Sequence, residues 1–164
     1  MNGFAGDLAL RPATPADLDE VAAIEQASFS DPWSRRAFAS LLGNPAVLFL
    51  SARPAPAGPL LGYVVAWFAA DECEIANIAV APAARGQHVG ARLLDAALAE
   101  AACRGATTTY LEVRESNAAA RALYVSRHFT ELGRRRRYYR HPTEDALVLG
   151  RTTPPTSTSP RGAA

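Results

Sequence analysis

The sequence contains no lysine: all seventeen of its basic residues are arginine. A lysine nucleophile or Schiff base is therefore excluded. Arginine suits bidentate phosphate contacts, yet so uniform a choice reads more simply as codon bias. Cysteine is almost as scarce. Cys73 and Cys103 stand thirty residues apart, without a Cys-x-x-Cys spacing, a pattern that fits reduced cytosolic thiols better than a disulfide framework. The three histidines are scattered, so no ligand spacing points to a metal and none is expected. No apolar run is long enough to span a bilayer, and no basic segment followed by an apolar core opens the chain. A cytoplasmic protein without a membrane partner is the expectation. A surplus of one charge is missing too. With a formal net charge of +1, no long-range field favours nucleic acid as the main ligand.

What remains is an ordinary globular composition, 49% hydrophobic and 20% charged over 164 residues. A single domain of that size buries roughly 70% of its unfolded surface and needs no staple. The domain is expected over residues 8–150, with flexible tails at 1–7 and 151–164. Leu8 to Arg11 reads as a strand. Thr14-Pro15-Ala16-Asp17 reads as a helix start, followed by Leu18, Val21, Ile24 and Ala27 at helical spacing. Ser34 to Leu42 is a second helix closed by Gly43. Val47–Leu50, Leu60–Phe68 and Cys73–Val80 are strand-like, the last two joined by a hairpin at Asp71-Glu72. From Val89 a stripe of Leu93, Leu94, Ala97, Leu98 and Ala101 marks a helix stopped at Gly105. Thr107–Val113 is a β-branched strand, Asn117–Phe129 a helix, and Thr130–Tyr139 and Ala146–Leu149 closing strands. This order predicts an α/β domain on one mixed central sheet with flanking helices. Its middle strands, Cys73–Val80 and Thr107–Val113, are joined by a helix and therefore parallel.

Ligands gather at the carboxyl ends of such strands. There lies "ARGQHVGARLL", Ala84 to Leu94. A loop that leaves a strand and opens a helix turns free N–H groups and the positive helix end toward one point, which suits a pyrophosphate. A plain strand-to-helix turn would have a similar sequence. Further on, Tyr110, Glu112 and Arg114 share one face of a strand. Asn117 and Tyr124, seven residues apart, lie within about 20° on one helix face. Taken singly, Glu112 is a solvated strand residue, Asn117 a helix cap and Tyr124 a packing side chain.

Together these segments are more specific. "NIAVAPAARGQHVGARLL" resembles the cofactor motif of the GCN5-related N-acetyltransferases, with Arg85, Gly90 and Ala91 on its pattern. "LEVRESNAAARALY", with "FSDPWS" before it and "RRRRYYRHP" after, resembles the bacterial ribosomal-protein-alanine branch, from about Leu8 to Leu149. The resemblance implies transfer of acetyl from acetyl-CoA to the N-terminal α-amine of an alanine-starting small-subunit ribosomal protein. It places Glu112 as general base and Tyr124 as general acid. Asn117 falls on a cofactor contact, Ile78, Ala79 and Val80 on the strand holding the acetyl arm, and Arg85, Gly86, Gln87, His88, Val89, Gly90 and Ala91 on the pyrophosphate loop. His88 departs from the pattern, standing where its first glycine belongs. A Cβ there limits how closely the backbone can approach a phosphate and costs more if φ is positive.

The acceptor is expected to meet Tyr138 and Tyr139, and Trp33 either walls that site or fills the core. The Arg134–Arg137 block reads first as a charged, solvated strand face; it also suits an acceptor groove or an RNA contact. Two rival functions remain at this level. One is a member of the same fold acting on a small-molecule amine. The other is a non-catalytic acyl-CoA-binding module associated with the ribosome, which the Glu112–Tyr124 pair speaks against.

Overall fold

The computed structural model describes residues 6–153. Its seven strands form one sheet: β1 (Leu8–Pro12), β2 (Val47–Pro54), β3 (Gly62–Ala69), β4 (Glu72–Val80), β5 (Thr108–Arg114), β6 (Thr130–Tyr139) and β7 (Glu144–Thr152). They are ordered β1-β2-β3-β4-β5-β7-β6. β4 and β5 are parallel, while every other neighbouring pair is antiparallel. The expected mixed sheet with a parallel middle pair is therefore the observed one. Four helices accompany it: α1 (Leu18–Ser28), α2 (Arg35–Leu41), α3 (Val89–Cys103) and α4 (Ala118–Ser126).

Helix starts follow their capping chemistry. Ser34 accepts from the Ala37 N–H and opens α2, and Asn117 accepts from Ala120 and opens α4. Thr14 to Asp17 forms a capping box on a 3-10 turn, Pro15–Asp17, and α1 begins only after it. α4 ends at Ser126, short of the expected Phe129. His128 takes a left-handed backbone (φ 67°), and the N–H groups of Arg127 and Phe129 fold back onto the Tyr124 carbonyl. β2 runs past Leu50 to Pro54 because it pairs with β1, Leu8 opposite Pro54. β7 extends through Thr152, two residues beyond the expected end of the domain.

The sheet separates two apolar layers. On one face Leu93 and Leu94 of α3 pack with Leu111, Leu147 and Phe129. On the other, Val21 of α1 and Phe38 of α2 pack with Phe49 and Tyr63. Burying each such side chain contributes about 1.5–3 kcal/mol. The expected α1 stripe is buried at Leu18, Val21 and Ile24, but Ala27 is exposed and Glu25 is buried beside them.

The feature that makes the site is a parting of the parallel pair. β4 and β5 are paired only from Glu72–Thr108 to Ile75–Leu111. There the β3–β4 register jumps from Ala66–Ile75 to Val65–Asn77, leaving Ala76 as an extra residue in β4. A bulge bends its strand and increases the local twist. It also reverses the alternation, so that Ile78 and Val80 pack toward the α3 layer while Ala79 joins the α1 layer.

Candidate active site

Where β4 and β5 diverge lies a cleft of about 520 Å³. It brings together Ile78, Glu112, Asn117, Tyr124, Trp33, Tyr138 and Tyr139, residues from four elements, the cap of α4 and the α1–α2 loop. Beyond Ile75 the β4 edge facing β5 has no strand partner, so backbone N–H groups of that edge between Asn77 and Val80 are available to a ligand. Ala79 and Val89 are buried in the core and can offer only backbone atoms.

Glu112 projects from β5 toward β6. Arg135 forms an ion pair with it, Nε to Oε1 at 2.9 Å, with the Glu112 side chain 19% exposed. The nearby Glu112 carboxylate, followed by burial, raises the Tyr138 phenol above its ordinary value. Glu74 lines the cleft as a second carboxyl from the neighbouring strand. Burial, then the charge of Glu112, raises its pKa, and Arg135 opposes the shift. Both tyrosines of the 138–139 pair reach the cleft although neighbours on a strand normally point to opposite faces. The β6–β7 register slips between Arg135 and Tyr139, with Arg137 left-handed (φ 52°) and its N–H held by Asp145 at 2.9 Å. The tyrosine rings meet edge to face at 5.1 Å.

Tyr124 comes from α4, its ring buried at 5% exposure and 5.8 Å from that of Phe129. Burial first, then Tyr139, pushes its phenol well above the usual tyrosine range. Its proton therefore stays on at any working pH, which makes it a donor and not a base. Tyr139 is pushed up to about 12, again by burial and then by Glu112. Asn117 uses its carbonyl oxygen for the α4 cap at 3.1 Å, so its amide N–H₂ is what remains for a ligand.

The loop from Arg85 to Ala91 sits beyond the end of β4, outside the cleft proper. The first backbone bond of α3 runs from Arg92 N to His88 O at 3.0 Å, and the N–H groups before it emerge at the positive helix end. Gly86 (φ 77°) and His88 (φ 64°) are both left-handed. The glycine is free to be so. His88 bears a cost of roughly 1–2 kcal/mol for it. Gly90 leaves ordinary contact distance to Val80 and Leu123. A pyrophosphate fits these donors. Arg85 does not point at them: its guanidinium is turned back onto the Val80 carbonyl and the Ser28 hydroxyl, each at 3.2 Å. Gln87 likewise turns back to the Ala83 carbonyl.

The opposite wall is the α1–α2 loop. Trp33 packs on Phe38 with ring centroids 5.4 Å apart, and it also lines the cleft, so it both fills the core and walls the site. Arg114 closes one end. It donates to Ser30 Oγ at 2.8 Å and to the Arg140 carbonyl at 2.9 Å, joining this loop to the β6–β7 hairpin. Its guanidinium also covers the Tyr139 ring at 4.4 Å.

The Arg134–Arg137 block is exposed, as its first reading expects, and two of its members are ion-paired, Arg134 with Glu115 and Asp145 and Arg135 with Glu112. Two residues of the cleft, Glu74 and Glu25, were not visible as site residues in the sequence. Glu74 needed the β4–β5 register. Glu25 did leave a signal, a charge within the apolar stripe of α1; it is 1% exposed and lines the cleft floor. Among the described residues no group of three histidine, cysteine or acidic side chains could hold a metal ion. No helix there is long and apolar enough to cross a membrane.

A bulged, unpaired strand edge, a donor-lined helix start and a carboxylate–phenol pair across a cleft are the parts of an acyl-CoA acyltransfer site. The sequence pattern of the acetyltransferase (GNAT) family matches residues 18–129, and the chain belongs to that family. It is 39% identical over 137 residues to the ribosomal protein bS18-alanine N-acetyltransferase of Escherichia coli K12, across 81% of this chain and 89% of that protein. The crystal structure of the ribosomal-protein-S18-alanine N-acetyltransferase from Escherichia coli superposes with a TM-score of 0.81 at 34% identity, covering 89% of this chain and 94% of that one. The NatC complex bound to Gag peptide and CoA shares the fold at 20% identity, with a TM-score of 0.80 over 90% and 99% of the two chains.

Proposed function

We propose that this chain, an N-terminal protein acetyltransferase by family and relatives, moves acetyl from acetyl-CoA to the α-amine of a small-subunit ribosomal protein that begins with alanine. The observation that carries the reading is the meeting of Glu112 and Tyr124 in one cleft beside the open edge of β4.

An α-amine has a pKa of about 7.7–8.0, so most of it is protonated at neutral pH and cannot attack a thioester. Glu112 takes that proton, directly or through one water. The nitrogen adds to the thioester carbon, and the oxygen that becomes negative is met by backbone N–H groups of the Asn77–Val80 edge. The C–S bond then breaks, acetyl stays on nitrogen, the nitrogen's second proton leaves to water, and Tyr124 donates to the departing sulfur and is reprotonated from solvent. A raised phenol pKa makes full proton transfer to a thiolate uphill in water. Burial disfavours the thiolate charge as well and narrows that gap. No covalent enzyme intermediate is needed, and buried Cys73 and exposed Cys103 take no part.

Acetyl-CoA, when bound, supplies the activated acyl group. The N–H groups from Gly86 to Ala91 hold its pyrophosphate, and the Asn117 amide contacts its arm. Trp33, Tyr138 and Tyr139 line the acceptor side. A ribosomal substrate places the protein in the cytoplasm. The test is to incubate the protein and acetyl-CoA with small ribosomal subunits that lack the modification, then map acetyl groups by mass spectrometry. Acetylation of one alanine-starting protein at its N-terminus supports the proposal; acetyl only on lysine side chains contradicts it.

A further inference from the structure

Glu25 is a buried carboxylate whose partners are all neutral donors. Oε1 accepts from the Trp33 backbone N–H at 3.0 Å. Oε2 accepts from the Asn77 side-chain amide at 2.8 Å and from the Tyr63 hydroxyl. Removing a carboxylate from water costs several kcal/mol, and an apolar floor would be cheaper. What this floor adds is connection. Trp33 belongs to the loop that walls the acceptor side, Asn77 stands at the β4 bulge that opens the cleft, and Tyr63 belongs to β3 beneath them. Arg114 on Ser30 and the Trp33 ring on Phe38 also anchor this loop; the Glu25 bond to the Trp33 N–H is what links it to the β4 bulge.

We infer that Glu25 is a positioning residue that fixes the width of the acceptor site by tying the Trp33 loop to the β4 bulge. It touches neither acyl group nor amine in this role. Accepting donors is what matters, so glutamine, with the Asn77 amide turned over, serves nearly as well as glutamate. An isosteric apolar side chain leaves the Trp33 and Asn77 donors unpaired and lets the loop drift.

The inference rests on the N-terminal acetyltransferase reading, and the test separates the two. Glu25→Met and Glu25→Gln are compared with the parent protein for KM toward an Ala-first peptide, affinity for acetyl-CoA and the pH profile. Glu25→Met should raise the peptide KM about tenfold with acetyl-CoA affinity within about twofold, because the pyrophosphate loop lies beyond the end of β4. Glu25→Gln should stay within about threefold in KM and keep the parent pH profile. A loss in Glu25→Gln equal to that in Glu25→Met overturns the inference, since it would assign the role to charge; so does an unchanged KM in folded Glu25→Met.

A second readout needs no acceptor. In a Trp67→Phe background, acrylamide quenching of Trp33 should rise about twofold in Glu25→Met and stay at the parent level in Glu25→Gln. Equal quenching in all three overturns the inference even if the protein acetylates something else. Should Glu25→Met not fold, Asn77→Ala cuts only the β4 arm. It should raise both KM and quenching, and no change in either overturns the tie.

Discussion

Replacing Glu112 by glutamine keeps the shape of the side chain and removes its ability to take a proton. The Arg135 ion pair at 2.9 Å becomes a contact between a guanidinium and a neutral amide, and because Arg135 is 58% exposed the fold should lose no more than about 1 kcal/mol. Chemistry should suffer far more. A general base contributes about 10²–10⁴ in rate. Without one, the variant depends on amine already free in solution. For a pKa near 7.8 that is roughly one part in sixty at pH 6 and roughly five parts in six at pH 8.5. The parent enzyme binds the ammonium form and removes its proton in the site, so its kcat/KM should be nearly flat from pH 6 to 7.5. The variant should climb about 50-fold between pH 6 and 8.5. The assay is kcat/KM for an Ala-first peptide across that range, following CoA release with a thiol reagent. Parallel profiles for the two proteins would refute the assignment of Glu112 as base.

Tyr124→Phe should slow turnover about a hundredfold while acetyl-CoA affinity, measured by calorimetry, stays within about twofold; a collapse in affinity would make Tyr124 a packing residue only. His88→Gly removes a left-handed side chain from the pyrophosphate loop. Relief of strain, about 1 kcal/mol, nearly offsets the extra freedom of glycine in the unfolded chain. The melting temperature should therefore hardly move while acetyl-CoA binds several-fold tighter. Arg53 joins Asp17 and Glu20 at 2.6 and 2.8 Å. Burial alone would raise Asp17, but the Arg53 and Thr14 bonds win and lower it; the Arg53 bond, then the Leu60 N–H, lowers Glu20. Folded values below the unfolded ones mean that this stability is complete above about pH 4.5. It is lost as pH falls through the lowered values. Arg53→Gln should cost about 2 kcal/mol in urea unfolding at pH 7 and lose less than the parent on going to pH 3.

Much of the architecture could be read because its signals are local. Ser34 and Asn117 cap helices by their own side chains, the α3 stripe repeats at helical spacing, and a helix between two strands implied that β4 and β5 run parallel. The strand ends that were misplaced, at Leu50 and Leu149, depend on pairing with distant partners, β1 for one and β5 and β6 for the other. The lining of the candidate cleft was legible where a residue type and a spacing place it, as with Glu112 on an alternating strand and Tyr124 two turns beyond a cap. It was opaque where geometry comes from an irregularity. The extra residue at Ala76 opens the cleft, yet "EIANIAV" reads as an uninterrupted strand. The slip around Arg137 lets Tyr138 and Tyr139 both line the cleft. Glu25 was legible only as an anomaly, a charge on the side of α1 that belongs to the core.

The most direct test is mass spectrometry of four acceptors incubated with the protein and acetyl-CoA: an Ala-first peptide, the same peptide with a blocked N-terminus, a blocked peptide containing lysine, and a polyamine. Acetylation confined to the free alanine terminus is the predicted result. Acetyl on the lysine or the polyamine, with the alanine terminus untouched, would contradict it.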